Sequence, residues 1–106
     1  MAFIECKKHG GHVASLVSKQ VAAWVKENKE VTVIQIEKII YIDSNNSRSY
    51  FVVDAESFLK LSAAYDIDLS NPIESEELAF ELSMELDAVC PLCLSNWLKM
   101  VNVDRL

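Results

Sequence analysis

Residues 31–42 are dense in β-branched side chains, and every second residue from Thr32 to Ile42 except Lys38 belongs to one largely apolar face, whereas the other face is mixed. A period of two with this composition is typical of a β-strand. Residues 43–48 have the composition of a turn, and the apolar residues 50–53 follow them. We therefore predict an antiparallel hairpin formed by residues 31–42 and 49–54. Lys38 interrupts the apolar face of the first strand, which indicates either a β-bulge or a strand that extends past the edge of the sheet.

Three other segments place apolar residues at the spacing of a single helical face. We predict helices over residues 16–28, 55–65 and 91–100, because a suitable capping residue or a proline stands at the start of each. Pro91 favours the third helix, since proline suits the first helical turn. Candidate N-caps are Ser15 and Ser18 for the first helix and Asp54 for the second.

Residues 73–89 fit two different patterns. Glu, Leu, Ala and Met are good helix formers, but a helix would leave Phe80 and Met84 on its outer side. We predict a strand over residues 78–87, preceded by a helical turn near residues 74–77, and keep the helix as the alternative. The apolar residues that alternate as in a strand are Leu78, Phe80, Leu82, Met84 and Leu86.

Length and composition indicate one globular domain. The chain has 106 residues, of which 51% are hydrophobic, with only two Gly and two Pro. We predict a single domain over residues 1–106 of the α+β class, with an antiparallel sheet packed against two to three helices. No stretch approaches the ~20 apolar residues of a transmembrane helix. Because the first residues also lack the pattern of a signal peptide, we expect a cytoplasmic protein with reduced cysteines and no membrane partner.

The charges are unevenly distributed along the chain. The formal net charge is −6, and residues 66–90 contain eight acidic residues and no basic one, whereas residues 1–30 contain five lysines and three glutamates. A nucleic-acid-binding protein usually carries a basic surface, so this distribution disfavours nucleic acid as a partner. We expect a protein partner with a basic surface, bound through residues 66–90. A homodimer formed through an exposed sheet edge is a further option.

All three cysteines and one of the two histidines occur in two short pairs, Cys6-x-x-His9 and Cys90-x-x-Cys93. The x-x spacing lets two side chains of one turn converge on a metal ion, and thiolate and imidazole are preferred ligands of Zn²⁺. A helix that begins near Cys90 would also favour the thiolate forms that a metal requires. We therefore predict a zinc site formed by Cys6, His9, Cys90 and Cys93.

Both glycines of the chain follow the first pair. Gly10 and Gly11 permit the tight turn of a zinc knuckle between a strand that leads into Cys6 and a returning strand that starts near His12. Since His9 and His12 flank these glycines, His12 is the alternative histidine ligand.

The two pairs resemble the ligand pairs of the treble-clef and zinc-ribbon families of small zinc-binding domains. The resemblance is confined to Cys6-Lys7-Lys8-His9-Gly10 and to Cys90-Pro91-Leu92-Cys93 with the helix that follows. It implies that a knuckle supplies the first pair and that the first turn of a terminal helix supplies the second. The spacer of 80 residues between His9 and Cys90 departs from those families, whose usual spacer is a hairpin. An elaborated insertion that contains the main core would account for it, and no particular function is implied.

Three thiolates and one imidazole fill the four tetrahedral positions of zinc and leave none for a catalytic water. We therefore expect a structural metal in a non-enzymatic protein with an interaction or regulatory role, such as that of an immunity protein. One alternative is a zinc-dependent hydrolase or nucleic-acid-acting module. Another is a thiol–disulfide redox protein that uses Cys90 and Cys93, although it leaves Cys6 and His9 without a role.

Overall fold

The computed structural model of the chain describes residues 3–32 and 35–101. Within these ranges the chain forms six strands and four α-helices in two sheets, which confirms the α+β class. None of the helices in the described part is both long and apolar enough to cross a lipid bilayer. In chain order the elements are β1 (Phe3–Cys6), β2 (Gly10–Val13), β3 (Ser15–Val17), α1 (Lys19–Glu27), β4 (Ile36–Ile42), β5 (Arg48–Asp54), α2 (Ala55–Tyr65), α3 (Glu76–Ser83), β6 (Asp87–Val89) and α4 (Pro91–Met100).

The main sheet has the strand order β4-β5-β3-β6 and is mixed. The predicted hairpin is its β4–β5 pair, whose antiparallel register runs from Ile36 opposite Asp54 to Ile42 opposite Arg48. The register contains no extra residue at Lys38, so there is no bulge there, and the ammonium group lies 5.6 Å from the ring centre of Tyr50. Residues 31 and 32 precede β4, and the predicted strand residues 33 and 34 lie outside the described residues.

Helices cover both faces of this sheet and divide the buried side chains into two clusters. Val52 points to the face covered by α1 and α4, whereas its neighbours Phe51 and Val53 point to the face covered by α2 and α3. Alternate side chains of a strand lie on opposite faces, so a strand between two helical layers is apolar on both. For this reason Ile39 is fully buried, although it lies on the face of the predicted strand that also carries polar residues.

The first predicted helix begins later than expected. Ser18 is the N-cap of α1 and Asn28 its C-cap, whereas residues 15–17 form β3. Strand β3 pairs parallel with β5 and antiparallel with β6, which places Val17 at the centre of the sheet. Val17 has the spacing of the helical stripe that α1 continues, so the local pattern did not separate the strand from the helix.

The prediction of a strand over residues 78–87 is wrong, because residues 76–83 form helix α3 and only residues 87–89 form a strand. Ser75 caps α3 by accepting a hydrogen bond from the amide of Leu78, and acidic side chains in the first turn suit the positive end of the helix dipole. The helix buries only a narrow stripe that includes Ala79 and Leu82. Phe80 and Met84, which produced the alternating pattern, are 62% and 73% exposed. Helix propensity therefore decides the structure of this segment, because no sheet among the described residues buries its alternating apolar side chains.

Candidate metal centre

Strands β1 and β2 form a separate two-stranded hairpin that carries the first ligand pair. Cys6 ends β1 opposite Gly10, and residues 7–9 form the turn between them. Gly10 adopts a positive φ of 79°, a conformation that side chains disfavour. A Cβ atom at Gly11 would lie only 2.6 Å from Cζ of Phe3, so a larger residue there would have to displace the exposed ring of Phe3. The predicted knuckle is thus present, and its turn places the side chains of Cys6 and His9 together.

Helix α4 carries the second ligand pair at its amino end. Cys90 is the N-cap residue, with Pro91 in the first turn, and Cys93 follows one turn later. The side chains of Leu94 and Trp97 bury the other side of this helix in the core. Because the helix is anchored in this way, both sulfur atoms face the knuckle.

The four predicted ligands converge, with all their ligand atoms within 4.8 Å of one another. Nδ1 of His9 lies 3.5 Å from each of the three sulfur atoms. Sγ of Cys6 lies 3.6 Å from Sγ of Cys93. A tetrahedral zinc ion with ordinary bond lengths would give edges of about 3.6 Å between sulfur and nitrogen and about 3.8 Å between two sulfurs. These four separations are therefore close to those of a tetrahedral Cys₃His group, and the two remaining sulfur–sulfur separations are within 4.8 Å.

The local hydrogen bonds favour a thiolate at Cys6. The backbone of Lys8 has the largest effect, and together with contacts from His9 and Cys93 it outweighs burial and lowers the pKa of Cys6 to about 6. Burial, followed by the neighbouring sulfurs of Cys6 and Cys90, raises the pKa of Cys93 to about 11. The group therefore holds a thiolate at Cys6 readily, and an entering cation must displace the proton of Cys93.

His12, the alternative ligand, does not belong to the converging group. Its Nε2 donates a 2.8 Å hydrogen bond to the backbone carbonyl oxygen of His9. His12 thus supports the turn that carries His9, a role that the spacing of the two histidines did not reveal.

Lys26 and Asn28 also border the site, although they lie in α1 and its C-cap, far from both motifs in sequence. The stacked rings of Trp24 and Trp97, with centres 6.1 Å apart, connect this helix to α4. No short motif in the sequence marks this proximity, because it arises from packing between the two helices.

Comparison of the chain with protein-family models, with curated proteins and with solved structures finds no match. Its fold and site define an α+β protein in which a Cys₃His group lies between the β1–β2 hairpin and the last described helix.

Proposed function

We propose that this chain is a small zinc-binding protein in which the Cys₃His group holds a structural metal. The observation that carries the proposal is the set of three separations of 3.5 Å between Nδ1 of His9 and the sulfurs of Cys6, Cys90 and Cys93. Hydrogen bonds alone do not require one nitrogen to lie equidistant from three sulfurs, whereas tetrahedral coordination does.

The chemistry of the ligands favours Zn²⁺ over Mg²⁺ and Ca²⁺. Thiolate and imidazole ligands in a tetrahedral arrangement suit Zn²⁺, whereas Mg²⁺ and Ca²⁺ prefer oxygen ligands. Four protein ligands complete the coordination, so the metal would have no open position for substrate or water. A treble-clef-like centre, with a knuckle and a helix start as its halves, is the finer form of this proposal.

The position of the centre gives the metal a mechanical role. Strands β1 and β2 pair only with each other among the described strands, and an isolated two-stranded hairpin is marginally stable in water. A metal that bridges Cys6 and His9 to α4 would hold this hairpin against the main sheet.

We further propose that the protein acts by binding a protein partner in the cytoplasm, in a regulatory or immunity-like role. The support comes from α3, where Glu77, Phe80, Glu81 and Met84 form one exposed stripe at helical spacing, here called the α3 surface. Two exposed apolar side chains between carboxylates fit a partner segment that is basic and partly apolar. Homodimerisation through β4 has less support, because the backbone of Ile73 already pairs with that edge at residues 40 and 42.

A thiol–disulfide function has less support than metal binding. The thiol of Cys93 has a raised pKa of about 11, and the side chain of Cys90 is buried. Redox-active cysteines instead require an accessible thiolate. A disulfide between Cys90 and Cys93 would also leave the position of His9, equidistant from three sulfurs, without a role.

Metal analysis of the protein purified without added zinc tests the proposal, with one Zn²⁺ per chain as the expected result. Substitution with Co²⁺ should give the intense visible absorption of a tetrahedral thiolate complex, unchanged by azide or phosphate because no position is open. His9→Gln should abolish stoichiometric binding, and the matched variant His12→Gln should retain it with lower affinity. A protein that takes up no metal, or a cobalt spectrum that responds to added anions, would contradict a closed structural site.

A further inference from the structure

A cavity of about 410 Å³ opens directly beside the Cys₃His group. This volume lies within the range of roughly 300–1,000 Å³ that is usual for small-molecule sites, and it far exceeds the space that one coordinated ion needs. The four residues of the Cys₃His group line the cavity. The other polar residues that line it are Lys7, Lys8, Lys26, Asn28 and Asn96.

The charge of this cavity is opposite to that of the whole chain. Three lysines line it, and none of the described residues that line it is Asp or Glu, although the chain carries a net charge of −6. Within residues 3–32 and 35–101, only one lysine forms an ion pair: Lys60 pairs with Glu56 on α2. The three cavity lysines therefore have no carboxylate within ion-pair distance in the described part of the chain.

The charge of a loaded metal centre does not account for three lysines. Zinc with three thiolates and a neutral imidazole carries a net charge of about −1. One lysine would offset it, so the remaining positive charge is available to a ligand. Lys7 and Lys8 come from the knuckle turn and Lys26 from the last turn of α1, so it is the tertiary structure that places all three on one cavity.

We propose that this cavity binds a phosphate-bearing anion. Lysine ammonium groups act as point charges for phosphate, whereas planar recognition of carboxylates favours arginine, and the cavity contains no arginine among its described lining residues. The amides of Asn28 and Asn96 can add neutral hydrogen-bond donors. The inference rests on the proposed metal centre only in so far as the metal holds the knuckle, with Lys7 and Lys8, beside α1 and Lys26.

Titration of the metal-loaded protein at low salt, followed by ¹H–¹⁵N NMR, tests the proposal. The probes are inorganic phosphate, a mononucleotide and a short single-stranded oligonucleotide. We expect saturable shifts at Asn28 and Asn96. A mononucleotide that binds as tightly as the oligonucleotide supports a small phosphate ester as ligand. An oligonucleotide that binds more tightly, with an affinity that falls steeply with salt, supports a nucleic-acid phosphate. Absence of saturable binding by every probe up to about 10 mM, well above a millimolar Kd, would overturn the proposal.

The lysine contribution is tested by Lys26→Gln and by the triple variant Lys7→Gln/Lys8→Gln/Lys26→Gln. All three side chains are exposed, so the substitutions leave the core intact. The triple variant should bind at least tenfold more weakly and Lys26→Gln about threefold more weakly, a size typical of one charged contact. The matched control Lys60→Gln should stay within twofold of the wild type. An equal loss in Lys60→Gln and the triple variant would overturn the assignment to this cavity.

Zinc content is measured in the same samples, so the two proposals can fail separately. A zinc-loaded protein that binds none of the probes contradicts the anion site but not the metal centre. A protein that binds no metal contradicts the proposed metal centre, whatever the outcome of the titration.

Discussion

The hydroxyl of Ser18 donates a 2.6 Å hydrogen bond to the carboxylate of Asp54, and each of these two buried residues caps a helix. Oγ of Ser18 accepts from the amide of Val21 at the start of α1. The second carboxylate oxygen of Asp54 accepts from the amide of Ser57 at the start of α2. Because these helices cover opposite faces of the main sheet, one polar contact joins the two helical layers.

We expect Ser18→Ala to lower the free energy of unfolding by about 2–3 kcal/mol, because it removes the cap of α1 and one partner of a buried carboxylate. Denaturant unfolding at neutral pH with saturating zinc measures the effect. Ser75→Ala is the matched control, since Ser75 caps α3 at an exposed position, and we expect a loss of about 0.5–1 kcal/mol. Equal losses in the two variants would contradict a special role for the buried pair.

The same contact should appear in the titration of Asp54. Burial raises the pKa of this carboxyl, but hydrogen bonds from Ser18, Ser57 and the backbone outweigh it and hold the pKa below its ordinary value of 3.8. A lowered folded-state pKa stabilises the fold above the unfolded value, and this contribution is lost as the pH falls through the folded value. In Ser18→Ala the carboxyl carbon of Asp54 should therefore titrate at higher pH by NMR. An unchanged titration would show that the hydroxyl does not govern the carboxylate.

Removal of the metal should lower the thermal stability of the protein. Chelation of the wild-type protein should lower the thermal midpoint by at least about 10 °C, given the large binding energies of structural zinc. Hydrogen exchange should accelerate first in β1 and β2, because the proposed metal would attach this hairpin to α4. An unchanged melting curve after verified metal removal would contradict a structural role of the metal.

The effect of Cys90→Ser on the thermal midpoint should depend on whether the metal is present. Cys90 is the N-cap of α4, yet its side chain makes no capping hydrogen bond, and serine is a favoured N-cap. With zinc present, Cys90→Ser should melt well below the wild type, since a ligand is lost. In the presence of a chelator it should melt at or above the chelated wild type. Cys6→Ser is the control, because Cys6 lies in a strand and its substitution adds no cap. A chelated Cys90→Ser that is much less stable than the chelated wild type would contradict this account.

Trp97 should contribute more to stability than Trp24, although their rings stack on each other. Trp97 is fully buried, and its indole Nε1 donates a 2.8 Å hydrogen bond to the carbonyl oxygen of Lys29. We expect Trp97→Phe to cost about 2–3 kcal/mol through lost volume and an unpaired carbonyl, and Trp24→Phe to cost about 1 kcal/mol less. Urea unfolding followed by circular dichroism compares the two, and a larger loss in Trp24→Phe would contradict the role of the hydrogen bond.

The α3 surface should matter for binding and not for folding. Phe80→Ser and Met84→Ser alter exposed side chains, so we expect changes of no more than about 0.5 kcal/mol in the free energy of unfolding. Leu82→Ala, on the buried side of the same helix, should cost about 2–5 kcal/mol.

Affinity capture from the native cell with the wild-type protein identifies partners, and the Phe80→Ser/Met84→Ser variant should retain them at least tenfold less. Leu59→Ser on α2 is the control, because Leu59 is equally exposed and lies on another helix. Undiminished capture by the double variant would exclude the α3 surface as the binding site.

The amino-acid sequence by itself determined the elements whose signals are local. The β4–β5 hairpin, helices α2 and α4 and the knuckle at Cys6 follow from periodicity, capping residues and glycine placement, all within a few residues of each element. The converging Cys₃His set was also predictable, because zinc chemistry restricts the ligands and the chain contains no other cysteine.

Tertiary structure decided the remainder, because the outcome depended on neighbours distant in the chain. Residues 15–17 became a strand since β5 and β6 pair with them from both sides, and the parallel pairing with β5 has no local signal. Phe80 and Met84 could form a strand face only if a sheet buried them, and no sheet of the described residues does so. Lys26 lies beside the Cys₃His group because α1 packs against α4, and no local pattern contains that packing of distant segments.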